Sequence, residues 1–418
     1  DQKEIKAKRL FITRTLAALL FVLAAITAIL LRLYWLQIQH HDHYKTLATD
    51  NRIKLLPLPP ARGQIYDRNG VLLAQNITSV DLFITPDQVD DIPVVIAELQ
   101  KIVTITEDDI QRFGKLRRRL RRFEQVPIRT GLSDAEMAQF AVERHRFRGV
   151  DLGVNLRRHY PFGDLTAHVV GYIGRINERE VQRIDKAAYA GTSHIGKTGL
   201  ERFYEEQLHG DVGVQRVEID AMGHIIRILE TQPPVTGEDI QLHFDIELQK
   251  IAYEALGEHS GSVVVIDVKT GGVLAMASKP SFDANLFVNG ISFKDYNTLR
   301  DDPENPLFNR AINGSYPPGS TVKPFIGLAG LETQTVNHLQ TIYCPGHYRI
   351  KNAGRTFRDW KRTGHGTIDL EKSIEQSCDV YYYDLAYSMG IDKLHDYLVQ
   401  FHFGKQTGID MPAETSAV

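Results

Sequence analysis

The string Tyr316-Pro317-Pro318-Gly319-Ser320-Thr321-Val322-Lys323-Pro324 holds residue types suited to acyl transfer. Two prolines and a glycine stop whatever precedes them, so Ser320 falls where a helix can begin, and residues 325–331 continue it as an apolar run. Three residues on, Lys323 projects from the same face, within reach of the Ser320 hydroxyl. A serine is a poor nucleophile until a base takes its proton, and a partly desolvated lysine can be that base. Backbone N–H groups at the helix start would stabilise a developing oxyanion. Ser-x-x-Lys also arises by chance as a capping serine with a surface lysine; the Pro-Pro-Gly approach and the apolar continuation weigh against that.

A second constellation involves the chain's only two cysteines, Cys344 and Cys378. Asp359 and His365 stand between them, at successive spacings of 15, 6 and 13 residues, which makes four ligands of types that zinc accepts. His347 is a substitute ligand. A zinc held by four protein groups would be structural, because no coordination position stays open. Two other readings remain. A disulfide would close a loop of about 34 residues and stabilise by roughly 3–4 kcal/mol in the chain-entropy model. Buried free thiols with unrelated polar neighbours are the third.

These groups need a scaffold, and the sequence indicates where it sits. The chain has 418 residues, 43% of them hydrophobic and 24% charged, with a net charge of −3. That is globular composition, enough for two or three domains, and without the net basic excess of a nucleic-acid-binding protein. Residues 15–31 carry no charge. Extended through Arg32 to Leu36 they reach about 33 Å as a helix, enough to cross a bilayer core of about 30 Å. Arg32 can snorkel, and Tyr34 and Trp35 suit the interface. Lys3, Lys6, Lys8, Arg9 and Arg14 flank the N-terminal side, which predicts a cytoplasmic tail over 1–14, an anchor over 15–36 and everything later outside the cytoplasm. A cleaved signal peptide would have a shorter apolar region ending at a small-residue site. His40, His41 and His43 fall at the membrane exit.

Beyond the anchor, short apolar runs alternate with turn residues. Asp67-Arg68-Asn69-Gly70 predicts a tight hairpin turn between 64–66 and 71–73, and Ser133-Asp134-Ala135-Glu136 a capping box. The basic run 115–122 reads as a solvated helix face, with an anionic membrane or glycan contact as the alternative. A boundary is expected near Gln232-Pro233-Pro234. Past it, a strand over 239–244, a helix over 247–256 and a hairpin of 262–267 with 273–278 predict an α/β or α+β catalytic part.

At this point the chain resembles the class B penicillin-binding proteins, serine acyl-transferases that cross-link peptidoglycan. Their catalytic signatures are Ser-x-x-Lys, Ser-x-Asn and Lys-Thr-Gly. The first matches Ser320–Lys323, and the second is best matched by Ser377-Cys378-Asp379, where aspartate replaces asparagine. By resemblance Ser377 relays a proton between Lys323 and the leaving group; Asp379 keeps an acceptor for a substrate amide but loses a donor. The third signature has decoys. Lys197-Thr198-Gly199 and Lys269-Thr270-Gly271 precede Ser320, Arg362-Thr363-Gly364 precedes Ser377, and Gln406-Thr407-Gly408 lacks the cation. The chain is therefore expected to stop inside the transpeptidase domain.

Further resemblance lies in Arg62–Gly70, in the pedestal strings 158–174 and 196–213, and in 285–292 and 306–316, which are similar to the elongation members of rod-shaped Gram-negative bacteria. It implies a single N-terminal transmembrane helix, an α+β pedestal over 37–235 and a partial α/β transpeptidase domain of the penicillin-binding and serine β-lactamase type over 236–418. It also implies a periplasmic D,D-transpeptidase of the inner membrane that needs no cofactor for catalysis. Such an enzyme attacks the penultimate D-Ala carbonyl of a stem peptide, is acylated by β-lactams at Ser320, and partners a RodA-type glycosyltransferase. Two other classes compete: a non-catalytic scaffold with this fold, which the absent third motif and Asp379 favour, and a membrane-anchored β-lactamase or sensor, for which a pedestal of some 190 residues is needless.

Overall fold

A helix from Gln2 to Tyr34 opens the chain and tightens into a π-helical turn over Trp35–Gln39. The computed structural model describes residues 2–40, 52–118, 120, 122–220, 225–350, 354–412 and 414, with side chains from residue 12 onward. The segment Ile12–Gln39 is long and apolar enough to cross a membrane, and its leucines and isoleucines face outward. The Arg32 guanidinium lies 4.5 Å from the centre of the Trp35 ring, so charge and aromatic meet at the end of the apolar stretch. His41, His43, and Arg119 and Arg121 of the basic run lie outside the described residues.

Two larger sheets and a two-stranded one, Ile173–Arg175 with His194–Gly196, form the part that follows. Strands Ile53–Leu58, Gly213–Ile219 and Ile225–Gln232 make an antiparallel sheet in that order. The long strand Leu72–Ile84 centres the other, pairing with Ile65–Tyr66, Val126–Arg129 and Val150–His159. Asp67 makes the predicted turn: its Oδ1 accepts from the backbone N–H groups of Asn69 and Val71, both at 2.8 Å. Ser133 and Glu136 form the capping box of the helix Asp134–Glu143. The basic run begins in the helix Glu107–Arg117, capped at Arg118.

The segment after the predicted boundary does not leave this sheet at once. Ile240–Gln241 pairs in parallel with Ile65–Tyr66, so the strand expected over 239–244 is two residues long. Gly63 permits the approach: a Cβ there would stand 1.9 Å from the Glu238 carbonyl oxygen. One apolar core accordingly crosses from Leu73, Tyr160, Val170 and Leu208 to Phe244, Met276, Phe282 and Phe287. A helix Ile246–Ala255 and the hairpin of Gly261–Ile266 with Val273–Lys279 follow, close to expectation.

Three strings singled out in the sequence converge on one buried ionic network. Arg62 Nε donates to Glu201 Oε2 at 2.6 Å, and Arg158 Nε to Glu201 Oε1 at 2.7 Å. Arg158 Nη1 also donates to the Gly63 carbonyl at 2.6 Å. Burial disfavours the Glu201 carboxylate, but Arg158 and Arg62 outweigh it and hold its pKa below the ordinary value. A separate core, built on Ala329, Cys344, Ile368, Cys378, Tyr381 and Leu385, supports the site.

Candidate active site

Ser320 sits on a short 3-10 turn, Gly319–Val322, rather than inside the α-helix, which begins at Lys323 and runs to Glu332 with Pro324 in its first turn. Lys323 is buried. Its helix packs on the helix Asp379–Met389 through small residues; a Cβ on Gly330 would meet Leu385 Cδ1 at 2.8 Å. Ser377 follows the helix Leu370–Glu375 in a left-handed conformation, φ +52°. That reversal is tied locally, since Cys378 N–H donates to the Ser373 carbonyl at 2.9 Å and Ser377 N–H to that of Ile374 at 3.2 Å. Asp379 is the first residue of the next helix.

The four residues expected from the sequence come together. The Ser320 and Ser377 hydroxyls share a hydrogen bond of 2.6 Å. Lys323 Nζ donates to Ser377 Oγ at 3.1 Å, to the Ser377 carbonyl at 2.9 Å and to Asp379 Oδ1 at 2.6 Å. The hydrogen bonds thus run from Lys323 through Ser377 to Ser320. Aspartate in place of asparagine gains a local reason, because its carboxylate faces Lys323 Nζ. The Tyr382 ring centre lies 5.5 Å from Nζ.

Cys344, Asp359, His365 and Cys378 also converge, with one ligand atom from each lying within 4.8 Å of the others. Cys344 Sγ is 3.6 Å from Asp359 Oδ2 and 3.6 Å from His365 Nδ1, while Cys378 Sγ is 3.4 Å from Asp359 Oδ2. A tetrahedron with zinc bonds of 2.0–2.3 Å has edges of about 3.3–3.8 Å, so these separations suit one. The sulfurs are free thiols. Burial, then Cys344 and Asp359 beside it, push the Cys378 thiol up to about 12. Burial works against the Asp359 carboxylate too, yet the N–H groups of Lys361 and Val380 prevail and keep its pKa low. His347 is exposed on the strand His347–Arg349, outside the cluster.

Two roles escaped the sequence reading. Asp359 Oδ2 accepts from the backbone N–H groups of Asp379 at 2.9 Å and Val380 at 3.1 Å, capping the helix that carries Asp379. Trp360, half of whose signal was hidden by its ordinary setting next to Asp359, donates its backbone N–H to Asp379 Oδ2 at 3.3 Å and its indole N–H to the Gln376 carbonyl at 3.1 Å. Neither contact has a periodic signature, because the partners are some 20 residues away.

The Lys-Thr-Gly decoys have structural places. Lys197 pairs with Glu180 and Gly199 is pressed against the Val169 carbonyl; Lys269-Thr270-Gly271 forms a turn around Asp267. Gly364 lies against the Cys344 carbonyl.

Known proteins resemble this chain in both parts. Residues 57–242 match the family model of the penicillin-binding protein dimerisation domain, and residues 261–418 that of the penicillin-binding protein transpeptidase domain. The chain is 44% identical to the peptidoglycan D,D-transpeptidase MrdA of Acinetobacter baumannii over 98% of its own length and 61% of the relative's. Against MrdA of Escherichia coli K12 it is 43% identical, covering 97% of this chain and 65% of that one. The chain thus spans a little under two thirds of the length of these curated relatives. The structure of PBP2 in complex with MreC from Helicobacter pylori superposes with a TM-score of 0.74 at 31% identity, covering 88% of this chain and 69% of the other. On the strength of both domain matches and these relatives, the chain belongs to the penicillin-binding proteins, alongside members of the MrdA and PBP2 type.

Proposed function

We propose that the protein is a peptidoglycan D,D-transpeptidase of cell elongation, and the observation that carries this is the hydrogen-bonded series Ser320–Ser377–Lys323 closed by Asp379. Starting from the free amine of Lys323, Ser320 Oγ attacks the penultimate D-Ala carbonyl of a stem peptide, and its proton passes through Ser377 Oγ to Lys323 Nζ. Asp379 then faces the new cation and stabilises it. The tetrahedral intermediate collapses as the C–N bond breaks, and the same relay returns a proton to the departing D-Ala amine. The amine of a neighbouring stem attacks the ester and releases Ser320. β-Lactams would acylate the same oxygen. The names of the relatives support this substrate class.

The cluster of Cys344, Asp359, His365 and Cys378 would hold a structural zinc, which supplies no chemistry to acyl transfer but braces the segment leading into Ser377. The N-terminal helix would anchor the protein in the bacterial inner membrane with residues 1–14 in the cytoplasm and the bulk in the periplasm. There 37–235 serve as pedestal and 236–418 belong to the transpeptidase domain. A RodA-type glycosyltransferase is the expected partner through anchor and pedestal, and the MreC complex of the Helicobacter relative suggests a second. The test is acylation of the full-length protein by a fluorescent penicillin. Covalent labelling lost in Ser320→Ala is expected; an unlabelled, folded full-length protein would overturn the reading.

A further inference from the structure

The position of Ser377 poses a physical problem that the four reactive residues do not solve. A non-glycine residue at φ +52° sits in a sparsely populated region and stays there only when its surroundings hold it. Yet its hydroxyl must lie 2.6 Å from Ser320 while its carbonyl accepts from Lys323 at 2.9 Å. The turn begins at Gln376, and the carbonyl of that residue is bound by the indole of Trp360 at 3.1 Å. The same residue's backbone N–H fixes Asp379 Oδ2 at 3.3 Å. Trp360 thus holds both ends of Ser377-Cys378-Asp379 from outside the segment. The residue is 64% exposed, and a tryptophan is a costly choice for a surface loop unless the indole N–H is used. It packs beside His365, with ring centroids 5.6 Å apart, so the loop from Asp359 to His365 carries it.

We infer that Trp360 is a positioning residue for acylation: its indole N–H pins the Gln376 carbonyl and so keeps the Ser377 hydroxyl aligned between Lys323 and Ser320. This deepens the transpeptidase reading and rests on it.

Full-length Trp360→Phe keeps an aromatic ring beside His365 and the backbone donor to Asp379 but loses the indole N–H. The expected result is a fall of about tenfold in the first-order acylation step with penicillin, as suits the loss of one aligned hydrogen bond. Non-covalent penicillin affinity, metal content and melting temperature stay at wild-type values. Trp360→Ala should show the same fall in rate; if it fails to fold, Trp360→Phe carries the test. Acylation of Trp360→Phe at the wild-type rate overturns the inference, and so does a loss confined to affinity, which would make the ring a binding surface. The Trp360 indole proton is assigned by NMR as the indole signal that Trp360→Phe removes. Protection of that proton from solvent exchange is expected, and free exchange overturns the inference even in a protein that penicillin fails to label. Failure of the wild type to be acylated bears instead on the transpeptidase reading.

Discussion

Lys323, Ser377 and Asp379 divide the work in ways their identities alone do not show. Lys323 is bound to Asp379 at 2.6 Å and to Ser377 Oγ at 3.1 Å, so it reaches Ser320 through a second hydroxyl. Ser377→Ala should lower penicillin acylation by about 100-fold or more, the usual range for a proton-transfer group, with little change in melting temperature. Asp379→Asn keeps an oxygen opposite Lys323 and should stay within about tenfold of wild type, whereas Asp379→Ala, which leaves the cation formed on Lys323 without its partner, should lose about 100-fold. Stopped-flow acylation of the full-length proteins reads all three. Asparagine performing worse than alanine would contradict the role given to Asp379. Sequence spacing exposed Ser320 and Lys323 because three residues on one helix face are a local relation. Ser377 needed the family resemblance, and Trp360 had neither.

The loop that carries Asp359, Trp360 and His365 is tied to the helix Asp379–Met389. Asp359 caps the helix Asp379–Met389 through two backbone N–H groups, so anything that fixes Asp359 also fixes the start of that helix. Purified full-length protein should contain one equivalent of zinc, and Cys344→Ser should lose it together with several degrees of melting temperature. A strong chelator should reproduce the loss, and added zinc should reverse it. Metal analysis showing no zinc in active wild type would reject the site. Elements at the junction of pedestal and catalytic part respond to protons instead. Burial pushes the imidazoles of His168 and His194 down to about 4 each. Their unfolded values lie near 6.5, so between about pH 6.5 and 4 the unfolded chain binds more protons than the folded one. Stability is therefore full above pH 6.5 and falls as the solution is acidified towards pH 4, by on the order of 3 kcal/mol for each histidine. Denaturant titrations across that window should show the slope, and His168→Gln should flatten it.

At the scale of the molecule, two halves are joined by a core that ignores the boundary drawn from the sequence. Pro233 and Pro234 look like a linker, yet Ile240–Gln241 still extends the pedestal sheet and Phe282 and Phe287 complete the pedestal core. The Arg62, Arg158 and Glu201 network lies within this shared region, with Arg158 and Glu201 side chains both fully buried. Glu201→Gln leaves two arginines facing a neutral amide, and should destabilise by about 3–5 kcal/mol in urea titrations. An unchanged midpoint would mean that the network contributes order but no net stability. The sequence by itself determined the charge-free helix, the turn at Asp67, the capping box at Ser133 and the pairing of Ser320 with Lys323. Each of these is a relation between residues a few positions apart, fixed by backbone periodicity and local hydrogen bonding. It also supplied four zinc-type ligands and favoured zinc, but left a disulfide and free thiols open, since spacing along a chain says little about distance across it. Only the tertiary structure decided that those four side chains come within 4.8 Å of one another, that Trp360 reaches Gln376, and that three distant strings share one ionic core. Those are contacts between segments from about 15 to 140 residues apart, set by how the helices and sheets pack and not by any local pattern.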